Sequence, residues 1–299
     1  MTRALWRDTT PDAERVYLDA LRAMPPATRL SAAHEMIVTA HLLMAAGLRH
    51  RHPHLAQGAQ HAHLLALWLG PETAARLNAT QDAWSEHTEG GAGLEAGAWT
   101  SRNGETRMDT PLDALLAVTE ALDLLGVPYL LGGSWASMAH GVPRATQDAD
   151  LLAQLNLAHV APLVAALQDT FYISPEAMDD AIRRSASFNV IPLGLAFKVD
   201  IFVAPDRPYE RTEMARRAPL TITQHPPRTI YVATPEDVVL TKLRWYQQGN
   251  SVSEQQWSDI LGVLRVQGAT LDQAYLRRWA DTLGVAALLA TAVGQAGAP

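Results

Sequence analysis

Residues 130–155, LLGGSWASMAHGVPRATQDADLLAQL, place two glycines and a serine directly after a short apolar run. Asp148 and Asp150 follow downstream with a single residue between them. The stretch reads as strand, tight turn, short helix, strand. A turn leading into a helix aims backbone N–H groups at an anion, and Gly132 and Gly133 let the main chain come close to it. Ser134 adds a hydroxyl. At strand spacing the two aspartates point to one face. Paired carboxylate oxygens are the ligands a magnesium ion prefers.

Working outward, a third aspartate sits in an apolar strand, AFKVDIFVA at residues 196–204. Phe197, Val199, Ile201 and Val203 take one face, and Lys198, Asp200 and Phe202 take the other. An ionised carboxylate in such a strand is costly unless it is paired or metal-bound. A Gly-Gly turn alone is commonly just a turn, and a D-x-D alone is commonly a solvated strand end. Turn, short helix, D-x-D strand and a later strand Asp together describe a place for a nucleoside triphosphate and divalent metal. Two-metal sites stabilise both the entering and the leaving oxygen. Arg144 and Thr146, just before the aspartates, either orient that loop or contact phosphate.

GGSWASMAHGVPRATQDADLL resembles the signature of the DNA polymerase β-like nucleotidyltransferase superfamily. It is similar to the minimal bacterial members, including AbiEii-like toxins of toxin–antitoxin systems. FKVDIF resembles their third-carboxylate strand, and TPEDVVLTKLRWYQQ with QQWSDILGVL resembles the segment after it. The resemblance spans roughly residues 110–285. It implies that Gly132, Gly133 and Ser134 contact phosphates, that Asp148 and Asp150 bind Mg²⁺, and that Asp200 completes a catalytic site for two ions. It further implies that Lys242 reaches the triphosphate and that Asp259 supports the site. The implied activity moves a nucleoside monophosphate from an NTP to a hydroxyl on RNA, such as a tRNA 3′ end, or on a protein. An antitoxin or regulatory protein is the implied partner. A non-catalytic NTP-binding module and a phosphotransferase are the alternative uses of the same residues.

Composition narrows the rest. The chain has 299 residues, net charge −7 and no cysteine, so thiolate zinc sites and a Cys nucleophile are excluded. An acidic chain disfavours a broad non-specific nucleic-acid surface. The first residues lack an apolar signal core and no membrane span is present, so a cytoplasmic protein is expected. Only two of the 24 basic residues are lysines, Lys198 and Lys242. Such scarcity marks both positions, although chance placement in an arginine-rich chain gives the same count.

The expected fold class is α/β (α+β): a small mixed sheet with a helical C-terminal part, preceded by a small all-α unit. Residues 1–77 form that helical unit, 78–109 a Gly-, Ser- and Thr-rich linker, and 110–299 the nucleotidyltransferase domain. Within the first unit, Val16, Leu18 and Leu21 mark one helix, Ser31 caps a second that stops at Gly47, and residues 59–77 form a third. Seven of the 11 histidines lie there. His61 and His63 do not share a helix face, and no metal site is assigned. The unit reads as a docking or regulatory module. The arginines at 183, 184, 207, 211, 216 and 217 form either a track for RNA phosphates or a solvated face, the second being the simpler reading.

Overall fold

The computed structural model describes residues 11–51, 54, 59, 110–146, 148–193, 195, 197–224 and 227–297. The third N-terminal helical run and the linker lie outside the described residues, apart from Ala59. Seven strands form one mixed sheet in the order β3-β4-β5-β2-β1-β7-β6. They are β1 (Tyr129–Leu131), β2 (Asp148–Ala153), β3 (Phe171–Tyr172), β4 (Ser187–Pro192), β5 (Lys198–Val203), β6 (Ala218–Gln224) and β7 (Pro227–Val232). The mixed α/β class expected from the sequence is the class observed.

The two central strands carry the alternation that the sequence predicts. Ala149, Leu151 and Ala153 of β2 and Val199, Ile201 and Val203 of β5 are buried. Their neighbours in sequence are half-buried on the opposite face. β2 and β5 run parallel in a register that sets Asp148 opposite Lys198, Asp150 opposite Asp200 and Leu152 opposite Phe202. A slip of one residue would reverse every side chain of a strand, so the apolar faces fix the register.

Helix α3 (Pro111–Leu124) packs on β5 and β7. Thr110 and Asp113 close a capping box at its start, with Pro111 in the first turn. Helix α4 (Gly133–His140) follows β1, and α5 (Val160–Leu167) and α6 (Pro175–Arg184) follow β2 and β3. After β5 come α7 (Pro208–Arg216), the β6–β7 hairpin, and then α8 (Pro235–Gln248), α9 (Glu254–Gln267), α10 (Gln273–Leu283) and α11 (Ala286–Ala296). Side-chain oxygens of Thr234, Ser253 and Asp272 cap α8, α9 and α10.

The N-terminal helices differ in detail from the expectation. α1 (Pro11–Ala23) buries Leu18 and Leu21, but Val16 is exposed. α2 is one helix, Pro26–Arg51, so Ser31 lies inside it rather than at its cap, and Gly47 does not end it. Pro26 supplies the start, because proline suits the first turn. An interior glycine costs only about 1 kcal/mol relative to alanine, too little to stop a long helix. Leu30, Ala33 and Ile37 of α2 join the main hydrophobic core. Arg29 is 2% exposed and donates to the carbonyls of Leu21, Met24 and Ala139, tying the end of α1 to the end of α4. Among the described residues no helix is long and apolar enough to cross a membrane.

Candidate active site

β1 ends at Leu131 and the chain turns through Gly132 and Gly133 into α4. The Gly132 N–H donates to the Asp150 carbonyl at 2.8 Å, which pins the turn to β2. Gly133 has φ +51°, a conformation that side chains resist, and a Cβ there would lie 1.7 Å from Asp150 Oδ2. The glycine is therefore required twice, by its backbone and by the carboxylate packed on it. Gly132, Gly133 and Ser134 line the same cleft.

Asp148 and Asp150 both line that cleft, which has a volume of about 580 Å³. Trp135 Nε1 holds the Asp148 carbonyl at 2.9 Å, and Thr146 Oγ1 donates to Asp148 Oδ1 at 2.9 Å. Thr146 thus acts on the aspartate through its hydroxyl. Asp200 stands beside Asp150 by register, but it is not among the residues lining the cleft. Its carboxylate accepts from Lys198 Nζ and from Asn189 Nδ2 of β4. Lys198 Nζ also lies 3.6 Å from Asp148 Oδ2, so one ammonium bridges two of the three carboxylates. Burial pushes the Asp150 carboxyl up to about 6, helped by the charges of Asp148 and Asp200 and opposed by Lys242 and Lys198.

These carboxylates suit a hard divalent cation in donor chemistry. Lys198 already supplies one positive charge between Asp148 and Asp200. Among the described residues no three His, Asp or Glu side chains converge to form a ready-made metal cage.

Behind the turn runs a second charge network. Arg144 grips Asp259 through Nε and Nη2 at 2.8 and 2.9 Å, and Nη2 also donates to Ser134 Oγ at 2.6 Å. Lys242 Nζ lies 2.8 Å from Asp259 Oδ2 and donates to Gln256 Oε1 at 2.9 Å. Packing of α8 against α9 brings Lys242 and Asp259 together. Burial alone would raise the Asp259 carboxyl, but hydrogen bonds from Arg144 and the charge of Lys242 outweigh it and hold it below the usual range. Lys242 and Ser134 face the cleft from one side of the network. Bidentate Arg–carboxylate pairs are geometrically stiff, so Ser134 is held by a rigid partner.

Every sequence-predicted site residue therefore lies at this cleft or one contact behind it. Asn189, Gln256 and the bridging role of Lys198 were missed. Lys198 shares a face with Asp200 by simple alternation, and that signal was available. Of the arginines named for a phosphate track, Arg207 is exposed and lines the cleft, while the other five are engaged elsewhere. Arg183, Arg184 and Arg211 pair with Asp179, Asp180 and Asp206. Arg216 pairs with Glu236 and lies 3.9 Å over the Tyr275 ring, and Arg217 stacks on Tyr231. His140 bonds the Ala233 carbonyl through Nε2 at 2.8 Å and is a helix-end residue.

No protein-family model matches the chain, and no curated protein matches it. Among solved structures it is similar to an antigenic nucleotidyltransferase-like protein from Paracoccidioides brasiliensis, at 17% identity and TM-score 0.38, over 61% of this chain and 91% of that one. It is also similar to the antibiotic-resistance factor ANT(2'')-Ia, at 15% identity and TM-score 0.37, over 56% of this chain and 92% of that one.

Proposed function

We propose that this chain is a Mg²⁺-dependent nucleotidyltransferase that moves a nucleoside monophosphate from an NTP to a hydroxyl acceptor. The observation that carries the reading is the packing of Asp150 on Gly133. The Gly132–Gly133 turn touches a carboxylate there, with Asp200 its register partner on β5 and Asp148 two residues before it on β2.

Each residue then has a task. The amides of Gly132, Gly133 and Ser134 at the start of α4 receive the outer phosphates. Lys242 presents a cation from the cleft wall, and Arg144 fixes Ser134. Asp148, Asp150 and Asp200 would hold Mg²⁺, which when bound supplies charge neutralisation on the phosphate oxygens. The acceptor oxygen attacks the α-phosphorus, the bond to the β-phosphate oxygen breaks, and pyrophosphate leaves. A carboxylate of the cluster takes the acceptor proton.

The acceptor is a hydroxyl of RNA, such as a tRNA 3′ end, or of a protein. A toxin role, a cytoplasmic location and an antitoxin or regulatory partner docking at residues 1–77 complete the proposal. Product analysis tests it. Pyrophosphate released with a nucleotide-bearing acceptor supports the reading, whereas release of a nucleoside diphosphate identifies phosphoryl transfer and refutes it. The Lys198 bridge favours one second reading, an NTP-binding module without turnover. That reading predicts Mg²⁺–NTP binding with neither product.

A further inference from the structure

The cleft continues beyond the carboxylates. Along β2 and β5 the same face carries Leu152 after Asp150 and Phe202 after Asp200, and these two are register partners. A strand rises about 3.3 Å per residue, so this apolar step lies ~7 Å from the aspartates. That is one nucleotide's reach from an α-phosphate lying beside the Mg²⁺ that Asp150 would hold. From α8, Thr241 and Trp245 project on one helix face, four residues apart. The Phe202 and Trp245 rings meet edge to face with centroids 5.4 Å apart. Trp245 nevertheless remains 49% exposed while lining the cleft. A large aromatic surface left open at a cavity wall is an unusual use of tryptophan.

The carboxyl groups at this end come from α7. Glu210 and Glu213 both line the cleft although they are only 7% and 5% exposed. Glu210 is engaged by Arg244 at 3.0 Å. Glu213 accepts from Thr241 Oγ1 at 3.2 Å, through Oε1. Burial pushes its carboxyl up to about 8, with Asp237 and Glu210 adding to the shift and Thr241 and Arg244 opposing it. A carboxylic acid that keeps its proton both donates and accepts a hydrogen bond.

We propose that this inner end is the subsite for the nucleobase of the donor NTP, with the base lying against Phe202 and Trp245 and its polar edge read by Glu213 and Thr241. The proposal rests on the nucleotidyltransferase reading and deepens it. A flat ligand with apolar faces and a hydrogen-bonding rim matches an aromatic wall with a buried acid at its end. Bases of any kind stack on aromatic side chains, so the wall supplies affinity and the acid supplies choice. The cleft volume of about 580 Å³ accommodates a whole nucleotide.

Calorimetry on the full chain with Mg²⁺ tests it, titrating each of the four NTPs and, separately, inorganic tripolyphosphate. At least one NTP should bind tenfold or more tightly than tripolyphosphate. Trp245→Ala should erase that advantage and leave tripolyphosphate binding as it was. Glu213→Gln should change the ranking among the four NTPs. Phe202→Leu serves as a second wall variant, and a thermal melt confirms that each variant is folded. Equal binding of NTP and tripolyphosphate by the wild type overturns the subsite alone. Equal loss of both ligands in Trp245→Ala also overturns it. If neither ligand binds, the nucleotidyltransferase reading fails and the subsite falls with it.

Discussion

Gly133 and Asp150 occupy each other's space: the position a Cβ would take on Gly133 is filled by the Asp150 carboxylate. The turn that follows β1 and the D-x-D of β2 are thus one fitted unit. The turn and the Asp150 carboxylate can meet only because residue 133 has no side chain.

Gly133→Ala should separate them. The variant adds a methyl where Asp150 sits and strains a backbone at positive φ. The expected cost is about 1–3 kcal/mol of stability. NTP affinity should fall at least tenfold, read by calorimetry beside a thermal melt. An alanine variant that binds NTP normally would show that the contact is incidental.

Lys198→Met addresses the ammonium between Asp148 and Asp200. With Lys198 present, the carboxylate pair is already compensated, and the bridging group is about a quarter exposed. Its loss should destabilise the metal-free protein by about 1 kcal/mol, a partly screened value. It should also enlarge the rise in Tm on adding Mg²⁺, because the ion then meets an uncompensated cluster. Unchanged Tm values with and without Mg²⁺ would contradict the bridge.

Both lysines of the chain proved to stand at the candidate site, and the reason shows what a sequence can carry. Alternation in DADLLA and KVDIFV sets which side chains share a face, since a strand has a period of two. That much is local. Which strand lies beside which is not local, so the opposition of Asp150 to Asp200, and Asn189 beneath Asp200, could not be read from spacing. The Lys242–Asp259–Arg144–Ser134 chain joins two regions distant in sequence, 134–144 and 242–259, and the contact between them could not be read from spacing. No strand pair is expected from the sequence at residues 218–232, where the β6–β7 hairpin lies, and Pro219 sits in β6. β6 is an edge strand, where proline is tolerated. In α2, a good cap residue at Ser31 lost to a helix already started at Pro26.

Asp259→Asn should break the network behind the turn. It leaves Arg144 and Lys242 without their shared carboxylate at a buried position, at an expected cost of about 3 kcal/mol. The sign with pH follows from the lowered carboxyl. Its contribution is full above the unfolded pKa of 3.8 and is lost as pH falls through the lower folded value. The wild type should therefore lose its advantage over the variant in acid denaturation below about pH 4. A gap that persists at the lowest pH would point to packing instead.

Glu213→Gln should act in the opposite sense. The folded carboxyl titrates near 8 and the unfolded one near 4.5. Between those values the folded state holds the extra proton, so wild-type stability falls as pH rises, by up to roughly 1.4 kcal/mol per unit. The contribution is full below 4.5 and lost through about 8. Glutamine removes that slope, so the variant should gain on the wild type from pH 5 to pH 8 in denaturant melts. Parallel profiles would show that Glu213 keeps its charge.

The central claim is that Asp148 and Asp150 serve transfer from an NTP bound at the Gly132–Ser134 turn. The most direct measurement incubates the protein with each α-³²P-labelled NTP, Mg²⁺ and total bacterial RNA, beside an Asp148→Asn/Asp150→Asn double variant. The account predicts label on RNA or protein from at least one NTP and none from the double variant. Label transferred equally by the double variant, or no label from any NTP while NTP binding is intact, would contradict it.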